Sequence, residues 1–136
     1  MVNRVVVTSV GIISPIGLTS ETTWDNLLKG NSGIDQITTF DTTNFETTIA
    51  AEVKNFDPVE YFGKKESRRM DRFVQLAGVA TLEAIKDSEV KINSDNQNRI
   101  SVMIASGIGG IITLSDQNEV LFDKGPSRIS PFLVPM

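Results

Sequence analysis

The sequence contains no cysteine and no histidine. Disulfides are therefore excluded, and a structural zinc site loses its usual thiolate and imidazole ligands; neither a metal nor a cofactor is expected. No ordinary Ser-His-Asp triad can be assembled, and Ser106 lacks the G-x-S-x-G flanks of a nucleophile elbow. Long apolar runs are missing as well: none approaches the roughly 20 residues that span a bilayer. The opening Met1-Val2-Asn3-Arg4 and three valines lack the apolar core of a signal peptide. No membrane association is expected, and a cytoplasmic protein is the plain reading. Positive charge is in the minority, with 13 basic against 17 acidic residues and a net charge of −4. That balance argues against general nucleic-acid binding, which favours a basic surface. Repeats, low-complexity stretches and linker-like segments are also missing.

What is present is an ordinary globular composition, 40% hydrophobic and 22% charged over 136 residues, which suits one domain. Val5 to Ile13 is a β-branched run that reads as a strand buried on both faces, as in a parallel sheet. Thr19 or Ser20 can cap a following helix with Trp24, Leu27 and Leu28 as its apolar stripe and Gly30 as its stop. Asp35 to Thr48, rich in Thr and Asp, reads as a loop. Ile49, Ala51 and Val53 then alternate with Ala50, Glu52 and Lys54 as in a half-buried strand. After the Phe56-Asp57-Pro58 break, Met70, Phe73, Val74, Ala77, Thr81, Leu82 and Ile85 predict a long helix over about Ser67–Asp87. Ile92 to Asn98 reads as a surface loop, Ile100 to Ala105 as a second apolar strand, and Ile111 to Phe122 as a short helix before a Lys124-Gly125-Pro126 turn. Alternating strands and helices imply an α/β layered fold.

Three clusters carry chemical interest. The first is Ser106-Gly107-Ile108-Gly109-Gly110, directly after a predicted strand, where glycines permit positive φ and close backbone approach. Its G-x-G-G order lacks both the G-x-G-x-x-G and the G-K-[ST] spacing of phosphate-binding loops. A phosphate-binding loop is therefore poorly served, and a tight strand exit with close packing and an ordinary buried Ile108 fits these residues. The second is Lys64, Lys65, Arg68, Arg69 and Arg72, five of thirteen basic residues within nine positions. At the start of the predicted long helix these charges would oppose the macrodipole, so local helix stability does not explain them. They form either a solvated helix end compensated by Glu66 and Asp71 or a patch that steers an acidic partner. The third is the closing Ile129-Ser130-Pro131-Phe132-Leu133-Val134-Pro135-Met136, an apolar run with no charged tail to close a domain. Glu52, Asp57, Glu60 and Asp116 are scattered and read as solvated surface.

Three of these segments resemble the β-ketoacyl-acyl-carrier-protein synthases, the thiolase-like condensing enzymes of fatty-acid synthesis. They are Arg4 to Gly17, Lys64 to Asp71, and Ser106–Gly110 with Ser130-Pro131-Phe132. The resemblance runs over essentially the whole chain and amounts to the first third of a condensing-enzyme subunit. It is nearest the second type, which elongates medium to long acyl chains on acyl carrier protein. It implies that residues 1–136 are the N-terminal portion of a thiolase-like domain, with a layered αβαβα fold whose sheet is incomplete. It implies that Gly107, Ile108, Gly109 and Leu133 border the acyl pocket, Leu133 standing where the family often carries a second Phe. It implies docking of acyl carrier protein at Lys64, Lys65, Arg68 and Arg69, assisted by Arg128, with Ser127 in place of a second basic residue. In the full-length family the subunit is a homodimer. The Cys nucleophile and two His residues of the family fall beyond this chain, so no residue here is expected to be catalytic.

Three functional readings are open. The chain is a piece of a 3-oxoacyl-acyl-carrier-protein synthase, which condenses malonyl-carrier protein with an acyl thioester in fatty-acid elongation. Alternatively it is a non-catalytic truncated or split-gene product that docks acyl carrier protein or self-associates. The third, a free-standing nucleotide-binding α/β domain, is poorly served by the glycine order. Under the resemblance, neighbours of missing strands stay exposed, and the chain is expected to be stable only with its complement or as a self-associated species.

Overall fold

A computed structural model describes residues 4–134. Pro135 and Met136 of the closing segment, and Met1 to Asn3 of the opening one, lie outside the described residues. The chain divides into two compact units. One comprises the chain up to Phe56 together with Val79–Val90; the other comprises Asp57–Gly78 and the chain from Lys91 onward.

In the first unit, helix α1 (Ser20–Leu28) begins at Thr19, as expected. Thr19 and Thr22 form a reciprocal capping box, each accepting from the other's backbone N–H at 3.1 Å. The helix ends in a Schellman pattern: Gly30, at φ +69°, donates to the Leu27 carbonyl, and Asn31 donates to that of Asn26. Strands β1 (Ile34–Gln36) and β2 (Ile49–Ala51) pair antiparallel, with Asp35 opposite Ala50. β2 starts where alternation predicts a strand but ends at Ala51 rather than Lys54, and Ala50, not Ile49 or Ala51, is its half-buried residue. β1 falls inside the segment expected to be a loop; its polar Asp35 and Gln36 and its exposure on both faces leave no strand pattern to read. The Thr-rich connection is held by an edge-on Phe40–Phe45 ring pair, with centroids 5.4 Å apart.

The run from Val5 to Ile13 corrects another expectation: it forms no ladder, and the chain makes only an isolated bridge, between Ser14 and Gly17, directly after it. Among the described residues no neighbouring backbone pairs with the run. The segment instead attaches to the C-terminal half of helix α3 (Arg72–Asp87). The Ser9 hydroxyl donates to the Ala84 carbonyl at 2.7 Å, and Glu83 accepts from the Ile12 N–H at 2.8 Å. Gly11 lies so close that a Cβ there would stand 1.9 Å from the Ala80 carbonyl oxygen. Glu83 also accepts from the N–H and hydroxyl of Ser20, both at 2.8 Å, and so joins α1, α3 and the opening segment. Burial pushes its carboxyl up, but the Ser20 and Ile12 donors outweigh that and leave it below the ordinary value.

In the second unit, helix α2 (Val59–Ser67) precedes a turn over 68–71 and the first turns of α3. The single long helix expected from Ser67 is thus two helices. Gly63, at φ +71°, kinks α2 internally. The Gln75 side-chain amide donates to the carbonyls of Ser67 and Met70, both at 3.0 Å, stabilising the break. The ring of Phe62 lies against Gly78, where a Cβ would come within 2.8 Å of it. Helix α4 (Ile111–Lys124) matches its expectation, and Gly125, at φ +82°, ends it ahead of a 3-10 turn at Pro126–Arg128. Ile100 to Ala105, expected as a strand, is again unpaired, with Met103 95% exposed.

Buried apolar side chains are few. Among the described residues Phe56 and Val79 reach that state, whereas Val5, Val7, Val102 and Phe122 stand in the open. The architecture is α/β with an incomplete sheet. No helix among the described residues is long and apolar enough to cross a membrane.

Candidate functional site: a cationic cleft and an apolar groove

Both site features lie in the second unit. The α2–α3 break sets up the first. Lys64 and Lys65 occupy the last turn of α2 and Arg68 is its C-cap residue. There positive charge complements the helix dipole, which reverses the expectation that the cluster sits at a helix start. Lys64, Lys65, Arg68 and Arg69 line one cleft of about 440 Å3, and its fifth lining residue is Phe132. The Arg69 guanidinium lies 5.0 Å from the Phe132 ring centroid, a cation–π distance. Arg69 also pairs with Glu66 at 3.7 Å, longer than a hydrogen bond. The other ion pair found among the described residues is Lys54–Asp35, so Lys64, Lys65 and Arg68 enter none.

Asp71, one of the charges read as compensating this cluster, has a different task. It is buried, and its carboxylate accepts from the Phe73 N–H at the start of α3 and, at 2.9 Å, from the Thr113 N–H in the first turn of α4. The N-cap residue of α4 is Gly110, which has no side chain to offer. Asp71 therefore caps α4 from another element as well as capping α3. Burial pushes its carboxyl up, but the hydroxyl and N–H of Thr113 and the N–H groups of α3 outweigh that and hold it below the ordinary aspartate value.

The second feature is an apolar groove of about 670 Å3 lined by Phe73, Val74, Gly110, Thr113, Leu114, Leu133 and Val134. Leu133, expected at an acyl pocket, lines this groove. Gly107, Ile108 and Gly109 are not among its lining: Ile108 is 78% exposed, on a loop where Gly109 adopts φ +76° and donates to the Ser106 hydroxyl. Arg128 is exposed in the 3-10 turn and does not line the cationic cleft. Among the described residues no cluster of acidic or other ligating side chains could hold a metal ion.

Sequence reasoning missed Phe132 in the cationic cleft, Asp71 between two helices, and Glu83 as a clamp. A charge amid an apolar helical pattern is the signal that Glu83 offers. Asp71 offered another, three residues after Arg68 and directly before a helix. Nothing in the sequence separates the directions of Phe132 and Leu133.

Residues 2–136 match the family model described as "Beta-ketoacyl synthase, N-terminal domain". The chain is 52% identical over 133 residues to 3-oxoacyl-[acyl-carrier-protein] synthase 2 of Staphylococcus aureus strain COL, covering 98% of this chain and 32% of the relative. It is 48% identical over 132 residues to the protein of that name from Vibrio cholerae serotype O1, covering 97% of this chain and 32% of the relative. Among solved structures it superposes on the ishigamide ketosynthase/chain length factor with a TM-score of 0.76 and 27% identity, over 95% of this chain and 32% of that one. The chain spans about a third of the length of the curated relatives it matches.

Proposed function

We propose, from the premise that this chain belongs to the β-ketoacyl synthase family, that its cationic cleft is a docking surface for acyl carrier protein. On this reading residues 1–136 are the N-terminal portion of one ketosynthase domain acting in the cytoplasm on fatty-acid elongation. They contribute carrier docking at Lys64, Lys65, Arg68 and Arg69 and part of an acyl-pocket wall at Leu133. The carrying observation is the convergence of four cations on one cleft in a chain of net charge −4, three of them outside any ion pair among the described residues. Charge left uncompensated at a concave surface raises association rates with acidic partners and selects against basic ones. The relatives' name supplies the partner, an acyl carrier protein, and the family resemblance implies that this carrier presents an acidic helix.

Catalysis belongs to groups that these 136 residues do not contain. By resemblance, the family reaction transfers an acyl group to a Cys thiol and uses two His residues while malonyl-carrier protein loses carbon dioxide. A nucleophile of that kind needs an activated thiolate and fixed donors for the oxyanion, and the chain has neither Cys nor His. The test is affinity for acyl carrier protein, measured by fluorescence anisotropy at low and at physiological salt. Wild type should bind and weaken as salt rises; Arg68→Glu should bind at least tenfold more weakly at low salt. Equal binding by the two proteins removes the reading.

A further inference from the structure

The cationic cleft is tied to helix α4 by two arms. On the Arg69 side, the turn over 68–71 ends in Asp71, whose carboxylate accepts from the Thr113 N–H at 2.9 Å. On the other side, the Ser130 N–H donates to the Gln117 side chain at 2.6 Å, and the Ser130 hydroxyl accepts from the Phe132 N–H at 3.1 Å. Thr113 and Gln117 are four residues apart and so share one face of α4. The outer ends of the arms meet where the Arg69 guanidinium lies over the Phe132 ring. The circuit is closed, and a shift of Arg69 loads both attachments to α4.

The chain that enters α4 is loosely held. At Gly107 and Gly109 a Cβ would meet open space, and Gly109 adopts φ +76°. Gly110 differs, because a Cβ there would stand 3.3 Å from the Asp71 carboxylate. Asp71 thus grips the point at which a loose loop becomes a helix, and Ile108 rides on that loop.

We propose that Asp71 is a positioning residue that couples the cationic cleft to the first turn of α4. An acidic partner held at Arg68 and Arg69 tightens the cap on α4, and the cap strengthens the hold on the partner. The inference rests on the docking reading and goes beyond it, since Thr113 does not line the cleft. A partner that immobilises the 68–71 turn removes motion that Asp71 otherwise gives up on capping α4. The second event then costs less entropy after the first. Such coupling is reciprocal and carries the same factor in both directions.

The experiment uses the full chain with acyl carrier protein and reads carrier affinity and hydrogen exchange at the Thr113 N–H. Saturating carrier should raise Thr113 protection about fivefold in wild type and leave it unchanged in Asp71→Ala. Asp71→Ala should bind carrier about fivefold more weakly. Charge alone predicts the opposite, since losing a carboxylate near a cationic cleft favours an acidic partner. Asp71→Asn loses the same charge but keeps an acceptor, and should recover most of the affinity. Gly110→Ala changes no charge but crowds the carboxylate, and should also weaken binding. Carrier that binds wild type yet leaves Thr113 protection within twofold overturns the coupling while docking stands, and this measurement needs no variant to fold. Unchanged or tighter binding by Asp71→Ala overturns it too. So does a rise in Thr113 protection that persists in Asp71→Ala, which would mean that the carrier covers α4 directly. No binding by wild type overturns docking and coupling together.

Discussion

Replacing Asp71 by Ala removes one carboxylate and uncaps two helices. An N-cap of this kind contributes about 0.5–2 kcal/mol. The Phe73 contact, at 3.4 Å, stands at the weak end of that range. The Thr113 contact, at 2.9 Å, is a charge-assisted bond to a part-buried donor, and leaving such a donor unsatisfied costs about 1–3 kcal/mol. The share falling on α4 is therefore about 2 kcal/mol, or roughly thirtyfold in the equilibrium between closed and open first turn. Amide hydrogen exchange reads this directly: protection of the Thr113 N–H should fall about thirtyfold in Asp71→Ala, and much less in Asp71→Asn, which keeps an acceptor. The pH dependence has a definite sign. The folded carboxyl titrates below the ordinary aspartate value, so its stabilisation is complete above about pH 4 and fades as pH falls through the folded value. Asp71→Asn should lose that acid sensitivity at α4. Thr113 protection within threefold of wild type in Asp71→Ala would refute the double-cap account.

Gly11→Ala forces a methyl into the Ala80 carbonyl and should cost about 1–3 kcal/mol, seen as faster proteolysis of the segment before Gly17. Glu83→Ala removes the acceptor shared by Ile12 and Ser20 and should release both amides to exchange, while Glu83→Gln should retain part of the protection. Glu52 accepts from the hydroxyls and N–H groups of Thr38 and Thr39; chiefly the two hydroxyls hold its pKa down to about 2. Its NMR titration should leave it ionised at pH 3, and a midpoint near 4 would show that the loop does not form. Its contribution to the β1–β2 connection is present above the ordinary glutamate value and is lost as pH falls through about 2. The exposed runs around Val5–Val7 and Val102–Ile104 should make sedimentation concentration-dependent, and a monomer across the micromolar range would count against their being unpartnered surface.

The helices were legible where local chemistry sets them. Thr19 and Gly30 bound α1, and Gly125 ends α4, because capping and positive φ are decided within a few residues. α2 was invisible because Gly63 and four charged residues break its apolar period, and the same charges looked like the head of the next helix. The apolar runs at 5–13 and 100–105 carry strand composition, yet a strand also needs a neighbour, which is a non-local property. Relatives matched over a third of their length show how much further chain the fold holds in them. The basic cluster was legible as a docking candidate from charge alone. Its convergence on Phe132 was not, since that contact joins positions more than sixty residues apart.

The most direct test of the central claim, that these residues dock the carrier and supply no nucleophile, is a condensation assay in trans. The chain would be mixed with a polypeptide matching the remaining two-thirds of the Staphylococcus aureus relative, and 3-oxoacyl-carrier product followed by mass spectrometry. The chain alone should yield no product, the mixture should yield product, and the yield should fall when the chain carries Arg68→Glu. Product from the chain alone, or a mixture indifferent to Arg68→Glu, would contradict the claim.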